Sequence, residues 1–321
     1  MRLSIDVAVV AYNRYDLTHR CLEHLGRQTR AHRVIVCDDG SEDGTAERAA
    51  ADWPAAHVLR TEENRGYARA CNTAAGGGDG DVVVLLNNDV DCRPDFVERL
   101  VAPLERDPAL GSVAALCVRP GAERIDSVGL TADPTLSAFP RLRGRPVAEA
   151  ASPSPALVGP AGTAAAYRRA AWEALGGLDE RIFAYMEDFD LALRLRSAGW
   201  GSVAAPDAVG VHLGSATFGH RTAFQRRQGG FSRAYLIRRY GLLRRPVALR
   251  TALTEALVVA GDAALARDLE ALRGRVAGWR AAAGLPRRPP PPARAIEAGI
   301  GLRDAIALRR GVYRRAPQPP A

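Results

Sequence analysis

The sequence predicts an α/β fold built on a mostly parallel sheet, and three observations predict it. Apolar, β-branched runs at SIDVAVVAY (4–12), RVIVC (33–37), HVLR (57–60) and DVVVLLN (81–87) alternate with helical patterns over 15–28, 43–52 and 66–75. The runs are apolar almost throughout, as strands buried on both faces require. The intervening segments suit helical crossovers, which join parallel neighbours. Such sheets bind ligands beyond the carboxyl ends of their strands, where the polar clusters Cys37–Ser41 and Asn87–Asp91 fall.

The later elements follow in order. Pro94 suits the first turn of a helix over 94–106, and a strand follows at 112–118. Residues 119–160 are rich in Pro and Gly with weak periodicity, which reads as an irregular insertion serving as a lid or acceptor wall. A helix over 167–175 stops at Gly176-Gly177 and another, over 187–198, stops at Gly199. Short strands are expected at 201–204 and 208–213. Beyond 221 the pattern is helical and basic, RRPPPPAR (287–294) reads as a stiff linker, and the remainder as one more helix at most with a disordered end. The division expected is a catalytic unit over 1–220 (halves 1–118 and 119–220), a basic helical extension over 221–286, and a Pro/Arg-rich linker and tail over 287–321.

The chain has 321 residues, 47% hydrophobic and 25% charged, enough for a sizeable core. All 44 basic residues are Arg. That excludes a Walker lysine, a pyridoxal Schiff base and a lysine nucleophile. The five Cys form no C-x-x-C pair and read as reduced, buried thiols of a cytoplasmic protein. No apolar run approaches the ~18 residues of a membrane span, and the opening MRLSIDVAVVAYN reads as a first strand rather than a signal peptide. The net charge of +8 is uneven: residues 221–321 hold 21 Arg against 6 acidic residues. Such a segment suits either a polyanionic partner or a solvated surface. Without zinc-ligand spacing or aromatic interleaving, no nucleic acid is expected.

Four clusters carry chemistry. Asp38-Asp39-Gly40-Ser41 follows the second strand, where carboxylates can accept from a pyrimidine N–H or ribose hydroxyls; a helix cap from Ser41 or Asp43 is the plainer alternative. Asn87-Asn88-Asp89-Val90-Asp91 makes an oxygen-rich turn suited to Mg²⁺ or Mn²⁺ bridging two phosphates, or simply a solvated turn. Glu187-Asp188-Phe189-Asp190 opens a helix among Phe183, Tyr185, Met186 and Phe189. Acidic residues suit a first turn through the helix dipole alone, but apolar surroundings also raise a carboxylate's proton affinity toward that of a general base. His212 ends a strand, placed for a structural role or for a metal.

In this order the strings VAVVAYNR (7–14), VIVCDDGSEDGT (34–45), ENRGYARACN (63–72), VVLLNNDVD (83–91), GTAAAYRRAAWEALGGLDE (162–180), YMEDFDLALRLRSAGW (185–200) and HLGSAT (212–217) resemble the inverting family 2 glycosyltransferases of GT-A fold, most of all rhamnosyltransferase-like members. The resemblance spans roughly residues 5–240 and implies transfer from a nucleoside-diphosphate sugar, often dTDP-rhamnose, to a glycan or lipid-linked acceptor. Galactofuranosyl and mannosyl transferases share much of the pattern. It places Asp38 and Asp39 at the nucleoside, with Ala11 and Tyr12 bordering the base and Asn64, Gly66 and Asn72 shaping the pocket. Asn87, Asn88 and Asp89 match the D-x-D element with Asp89 on a divalent metal, Asn standing where stricter members have Asp, so that Asp91 is a further candidate ligand. It makes His212 a metal ligand, Asp188 the general base with Glu187 as understudy, and Gly162 and Thr163 the turn lining the acceptor.

The basic segment FSRAYLIRRYGLLRRPVALR (231–250) pairs aliphatic and aromatic residues with Arg. Two readings stand: a helix on an anionic membrane at the inner face of the cell, or a helix packed on the catalytic unit with Arg outward. In the first, Arg226, Arg227, Arg238 and Arg239 would meet the phosphates of a polyprenyl-diphosphate acceptor. A non-catalytic nucleotide-sugar or glycan-binding module is the competing function, supported by the Asn-for-Asp change. Nucleotidyl transfer is disfavoured because VAVVAYNRYD offers no Gly-rich phosphate loop.

Overall fold

The computed structural model describes residues 2–121, 123–214 and 222–309. The first half alternates β1 (Ile5–Ala11), α1 (Tyr15–Gly26), β2 (Arg33–Asp38), α2 (Thr45–Asp52), β3 (His57–Arg60), α3 (Tyr67–Gly76) and β4 (Val82–Asn87). Then come β5 (Val90–Cys92), α4 (Phe96–Arg106), β6 (Leu110–Val118), β7 (Ile125–Ser127), β8 (Leu130–Ala132), β9 (Ala138–Pro140), β10 (Ala164–Arg168), α5 (Arg169–Ala174), α6 (Glu187–Ser197) and β11 (Gly201–His212). Four helices follow: α7 (Ala223–Arg239), α8 (Ala248–Ala266), α9 (Glu270–Ala281) and α10 (Leu302–Arg309).

The main sheet runs β3-β2-β1-β4-β10-β6-β11-β5, with β7 beside β6. Strands β3, β2, β1 and β4 are mutually parallel, whereas β10 lies antiparallel between β4 and β6. Alternate residues of each strand enter opposite layers. Val7, Val9, Val84 and Leu86 meet α1 and α4 through Leu22, Leu25, Phe96 and Leu100. Ala8, Ile35, Val83 and Leu85 meet α3 and α6 through Cys71, Ala74, Leu191 and Leu195. Helix α6 also buries Phe189 and Leu193 against Tyr235 and Tyr240 of the C-terminal segment. It is enclosed on two sides, which explains its weak amphipathic pattern.

The mixed sheet with C-terminal helices is as expected; several details differ. Residues 164–168 form β10, hidden in the sequence because AAAYR runs straight into a helix. The two short strands expected at 201–213 are one, β11, with a register shift between Ala205 and Val209 around Pro206. The insertion contributes three strands and its own core of Ile125, Val128 and Leu142. The polyproline stretch is packed rather than free: Arg288 pairs with Asp179 at 2.7 Å and with Asp190. Arg169 bonds Asp6 at 2.7 Å and Arg168 caps the carbonyls of Leu104 and Leu110. All five Cys are buried and free.

Helix α7 lies against α9, and the glycines explain how closely. A Cβ at Gly274 or Gly278 would strike the backbone carbonyls of Arg227 and Phe231. Arg226 and Arg227 pair with Asp268 and Glu270, Arg238 donates to the Trp279 carbonyl at 2.9 Å, and Arg239 donates to the Pro286 carbonyl. These contacts tie α7 to its neighbours, although Arg227 stays 60% exposed. His220 and the chain end beyond 309 lie outside the described residues, as does part of HLGSAT.

Candidate active site

The first part of the site is built where β1 and β2 stop. Ala11 is buried and its carbonyl accepts from the Asp39 amide at 2.8 Å; Tyr12, half-buried, follows it. Asp38 is fully buried: Oδ1 accepts from the Ser41 amide at 3.0 Å and from the Ser41 hydroxyl, while Oδ2 has no partner. Asp39 is committed differently. Its oxygens accept from the Arg65 amide at 3.0 Å and the Gly66 amide at 2.9 Å, pinning the loop before α3. Burial nevertheless pushes the Asp39 carboxyl above its ordinary range. Asn64 supports the same turn, its Oδ1 accepting from Gly66 at 3.1 Å. Gly66 has φ +96°, and a Cβ there would lie 2.6 Å from the Phe183 carbonyl oxygen. This close approach admits only glycine.

Asn72 is elsewhere. Its amide group donates to the Leu178 carbonyl at 2.9 Å and Glu180 at 3.0 Å, and its oxygen accepts from the Leu178 amide at 2.9 Å. It clamps α3 to the loop after α5 instead of shaping a pocket.

The turn after β4 separates its polar residues. Asn88 donates to the Thr18 hydroxyl at 3.0 Å and is buried. Asp91 is bonded by Arg20 Nε at 2.7 Å and lies 3.5 Å from His24 Nε2, so its carboxylate is occupied away from Asp89. Asp89 is buried with Oδ1 unpartnered, and its Oδ2 is 3.4 Å from His212 Nε2. The pairing of β5 with β11 sets Val90 opposite His212 and so creates this juxtaposition. Behind His212, Nδ1 donates to Asp126 at 2.7 Å. Burial alone would lower the imidazole's proton affinity, but Asp126 and Asp89 outweigh it and raise His212 to about 9. The same contacts, with Arg143 and Arg119, overcome burial at Asp126 and hold it at about 2.

The third part surrounds the first turn of α6. Asp188 Oδ2 accepts from the Gly162 amide at 2.7 Å and Oδ1 from the Phe189 amide at 2.6 Å. Burial raises its proton affinity. Glu187 is buried with Oε2 unpartnered; burial, then the neighbouring Asp188, push it well above the carboxylate range. Both carboxylates of the pair act on Tyr67 and Cys71, whose proton affinities burial raises first. Tyr185 and Met186 enter this turn at φ +68° and +69°. Consecutive left-handed residues without glycine cost about 1–3 kcal/mol each and persist where the surroundings hold them.

Tyr67 links the second and third parts. Its hydroxyl lies 2.8 Å from both Asn87 Oδ1 and the Gly162 carbonyl, while the Thr163 carbonyl accepts from the Asn87 amide at 3.0 Å. Thus Asn87, Gly162 and Thr163 join the Asp89 turn to Asp188. Sequence reading missed Tyr67 and Asp126. Tyr67 lies inside the quoted ENRGYARACN string; Asp126 sits in the insertion with no local signal.

The glycosyl transferase family 2 model matches residues 6–176, and the model of glycosyl transferase family group 2 matches 143–264. The chain belongs to glycosyl transferase family 2. It is a glycosyltransferase. The chain is 32% identical over 238 residues to the N-acetylglucosaminyl-diphospho-decaprenol L-rhamnosyltransferase of Mycobacterium tuberculosis, covering 65% of this chain and 75% of that one. Its fold resembles the mannosyltransferase PcManGT of Pyrobaculum calidifontis, solved with GDP-Man and Mn²⁺, at TM-score 0.55 and 22% identity over 88% of this chain and 76% of that one. It also resembles GalNAc-T7, solved with UDP, GalNAc and Mn²⁺, at TM-score 0.56 and 15% identity over 79% of this chain and 54% of that one. Both are GT-A glycosyltransferases, and the sheet with its appended helices shares that architecture.

Proposed function

We propose that this chain is an inverting rhamnosyltransferase, taking L-rhamnose from dTDP-rhamnose to a hydroxyl of a glycan carried on a polyprenyl diphosphate during cell-wall or polysaccharide assembly. The rhamnosyl donor and the lipid-diphosphate acceptor are supported by the mycobacterial relative's name. The observation that carries the reaction type is the linked pair of carboxylate centres: Asp89, with an unpartnered oxygen beside His212, and Asp188 at the acceptor turn.

A divalent cation suits the first centre. Asp89 Oδ1 is a buried acceptor without a donor, and His212 is oriented by Asp126. No group of three His, Cys, Asp or Glu residues gathers to hold a metal among the described residues. Two protein ligands fit Mg²⁺ or Mn²⁺, which commonly retain water and substrate phosphates as ligands. When bound, the ion supplies charge stabilisation for a departing diphosphate. Asp126 is the positioning residue that fixes the His212 tautomer.

Asp188 acts as the general base. The acceptor oxygen forms its bond to the anomeric carbon as its proton passes to Asp188. The bond from that carbon to the nucleoside diphosphate breaks, and the diphosphate leaves with the electron pair. One displacement inverts configuration. The backbone N–H bonds from Gly162 and Phe189 fix the carboxylate's direction, and burial raises its basicity. Burial, and then Asp188 itself, raise the proton affinity of neighbouring Glu187 as well. Asp38 Oδ2 is a buried acceptor without a partner, whereas Asp39 shapes the neighbouring loop.

The test is turnover across a panel of nucleotide sugars with and without Mn²⁺ or Mg²⁺, with product configuration read by nuclear magnetic resonance. Metal-dependent transfer from dTDP-rhamnose with inversion is expected. Transfer of galactofuranose or mannose instead would reassign the donor. Retention of configuration would remove Asp188 from its role. Donor binding without turnover on any acceptor would favour the non-catalytic module.

A further inference from the structure

Helix α8 is built inside out. Its buried residues are Thr251 and Thr254, and Glu255 turns inward to pair with Arg233 and Arg275 at 2.7 Å each. Leu249, Leu253 and Leu257, four residues apart and therefore on one face, are 82%, 46% and 46% exposed. Ala252, Ala256, Ala260 and Ala264 are exposed beside them. Leu243 before the helix and Leu265 near its end are exposed as well. The two charged residues between 251 and 264 both sit away from this face: Glu255 is in its ion pairs and Asp262 lines an internal cavity. A helix resting on a core shows the reverse arrangement, and a contiguous exposed apolar face marks an interaction surface.

The charges around it select the occupant. Arg244 and Arg245 precede α8, Arg267 follows it, and Arg280 lies on neighbouring α9; none has an ion pair among the described residues. A second copy related by a two-fold axis would bring this same surface against itself. Because cations stand at both ends of α8, they would oppose cations in either orientation. An anionic headgroup layer neutralises them while the leucines enter the acyl boundary. No described helix is long and apolar enough to cross a membrane, so such contact lies in the plane of the surface.

We propose that the α8 face docks on an anionic lipid bilayer, leucines inserted and Arg244, Arg245, Arg267 and Arg280 on the headgroups. This deepens the reading of a lipid-linked acceptor and rests on it for its purpose. The helix is coupled to the catalytic end: Val258 of α8 and Met186, which precedes Glu187, wall one cavity of ≈ 250 Å³. Tyr235 of α7 bonds Asp179 at 2.6 Å, fastening the same helical group to the segment before α6. Docking therefore sets how the catalytic turn stands relative to the membrane.

The experiment is vesicle flotation of the full chain on phosphatidylcholine alone and on phosphatidylcholine with phosphatidylglycerol. Binding is expected only with the anionic lipid, weakening with salt. The triple variant Leu249→Glu, Leu253→Glu and Leu257→Glu should lose at least about tenfold in partition. Leu253→Ser, which removes one exposed side chain, should give a smaller loss at unchanged thermal stability and guards against misfolding of the triple variant. Transfer to a water-soluble acceptor should be unchanged in both. Absence of wild-type binding at low salt, or equal binding by the variants, overturns the proposal. So does a wild-type dimer in solution that the triple variant makes monomeric while vesicle binding persists. Vesicle binding with no transfer to any lipid-linked acceptor would uphold the surface and defeat the acceptor reading.

Discussion

The two halves of the sheet use their polar residues in opposite ways. Near β1 to β4, Asp39, Asn64 and Asn72 have most of their hydrogen-bonding capacity directed into backbone amides and carbonyls, while Asp38, and Asp89 just after β4, each keep a buried carboxylate oxygen unpartnered. Near β10, α6 and β11, Glu187, Asp188 and His212 have raised proton affinities, and Tyr185 and Met186 hold left-handed backbone. Left-handed backbone occurs in both halves, at Asn13 and Arg14 as well as at Tyr185 and Met186, so the difference lies in how the side chains are partnered. A fully satisfied group has little left to offer a substrate.

That contrast yields graded predictions. The largest effect belongs to Asp188→Asn, which should lower kcat about 10²–10⁴-fold while donor binding, followed by calorimetry, is retained; turnover near wild type would put the base elsewhere. Next, Asp126→Asn should weaken Mn²⁺ binding about 10–100-fold, read by electron paramagnetic resonance without substrate. Unchanged Mn²⁺ affinity would reduce Asp126 to a packing role.

A third prediction moves outside both halves. Burial works against the Glu255 charge, but Arg233, Arg275 and Arg309 outweigh it and hold the carboxyl at about 2. A depressed carboxylate contributes stability above its unfolded value, and that contribution is lost as pH falls toward 2. Glu255→Gln should therefore cost about 3 kcal/mol near pH 7 by denaturant unfolding, with the difference from wild type shrinking below pH 4.5. A pH-independent difference would point to packing. The smallest effect is Asn72→Ala, expected to cost about 1–3 kcal/mol of stability with donor affinity unchanged. A selective loss of donor affinity would return Asn72 to the nucleotide pocket.

How much of this could be read from residues depends on where the information sits. Strands β1 to β4 were legible because buried parallel strands leave continuous apolar runs and their ligand ends are polar. The Asp89 turn and the Glu187-Asp188 pair were legible as local clusters. Strand β10 was not, since Ala164–Arg168 owes its conformation to β4 and β6 on either side. Asp91 and Asn72 look like site residues in one dimension; only the approach of Arg20 and of Leu178 reveals their other duties. The Arg-rich segment divides for a related reason. Its charge pattern is that of a surface helix, yet several Arg of α7 pair within the fold, and the exposed leucines belong to α8.

The bond between Asp126 and His212 crosses between two segments with different tasks, since Asp126 belongs to the insertion and His212 ends β11. The insertion is therefore not independent of the sheet end it leans on. A graft of residues 119–160 that lacks a carboxylate at the matching position would release the imidazole at once. Libraries for altered acceptor choice should therefore hold Asp126 constant and vary what surrounds it.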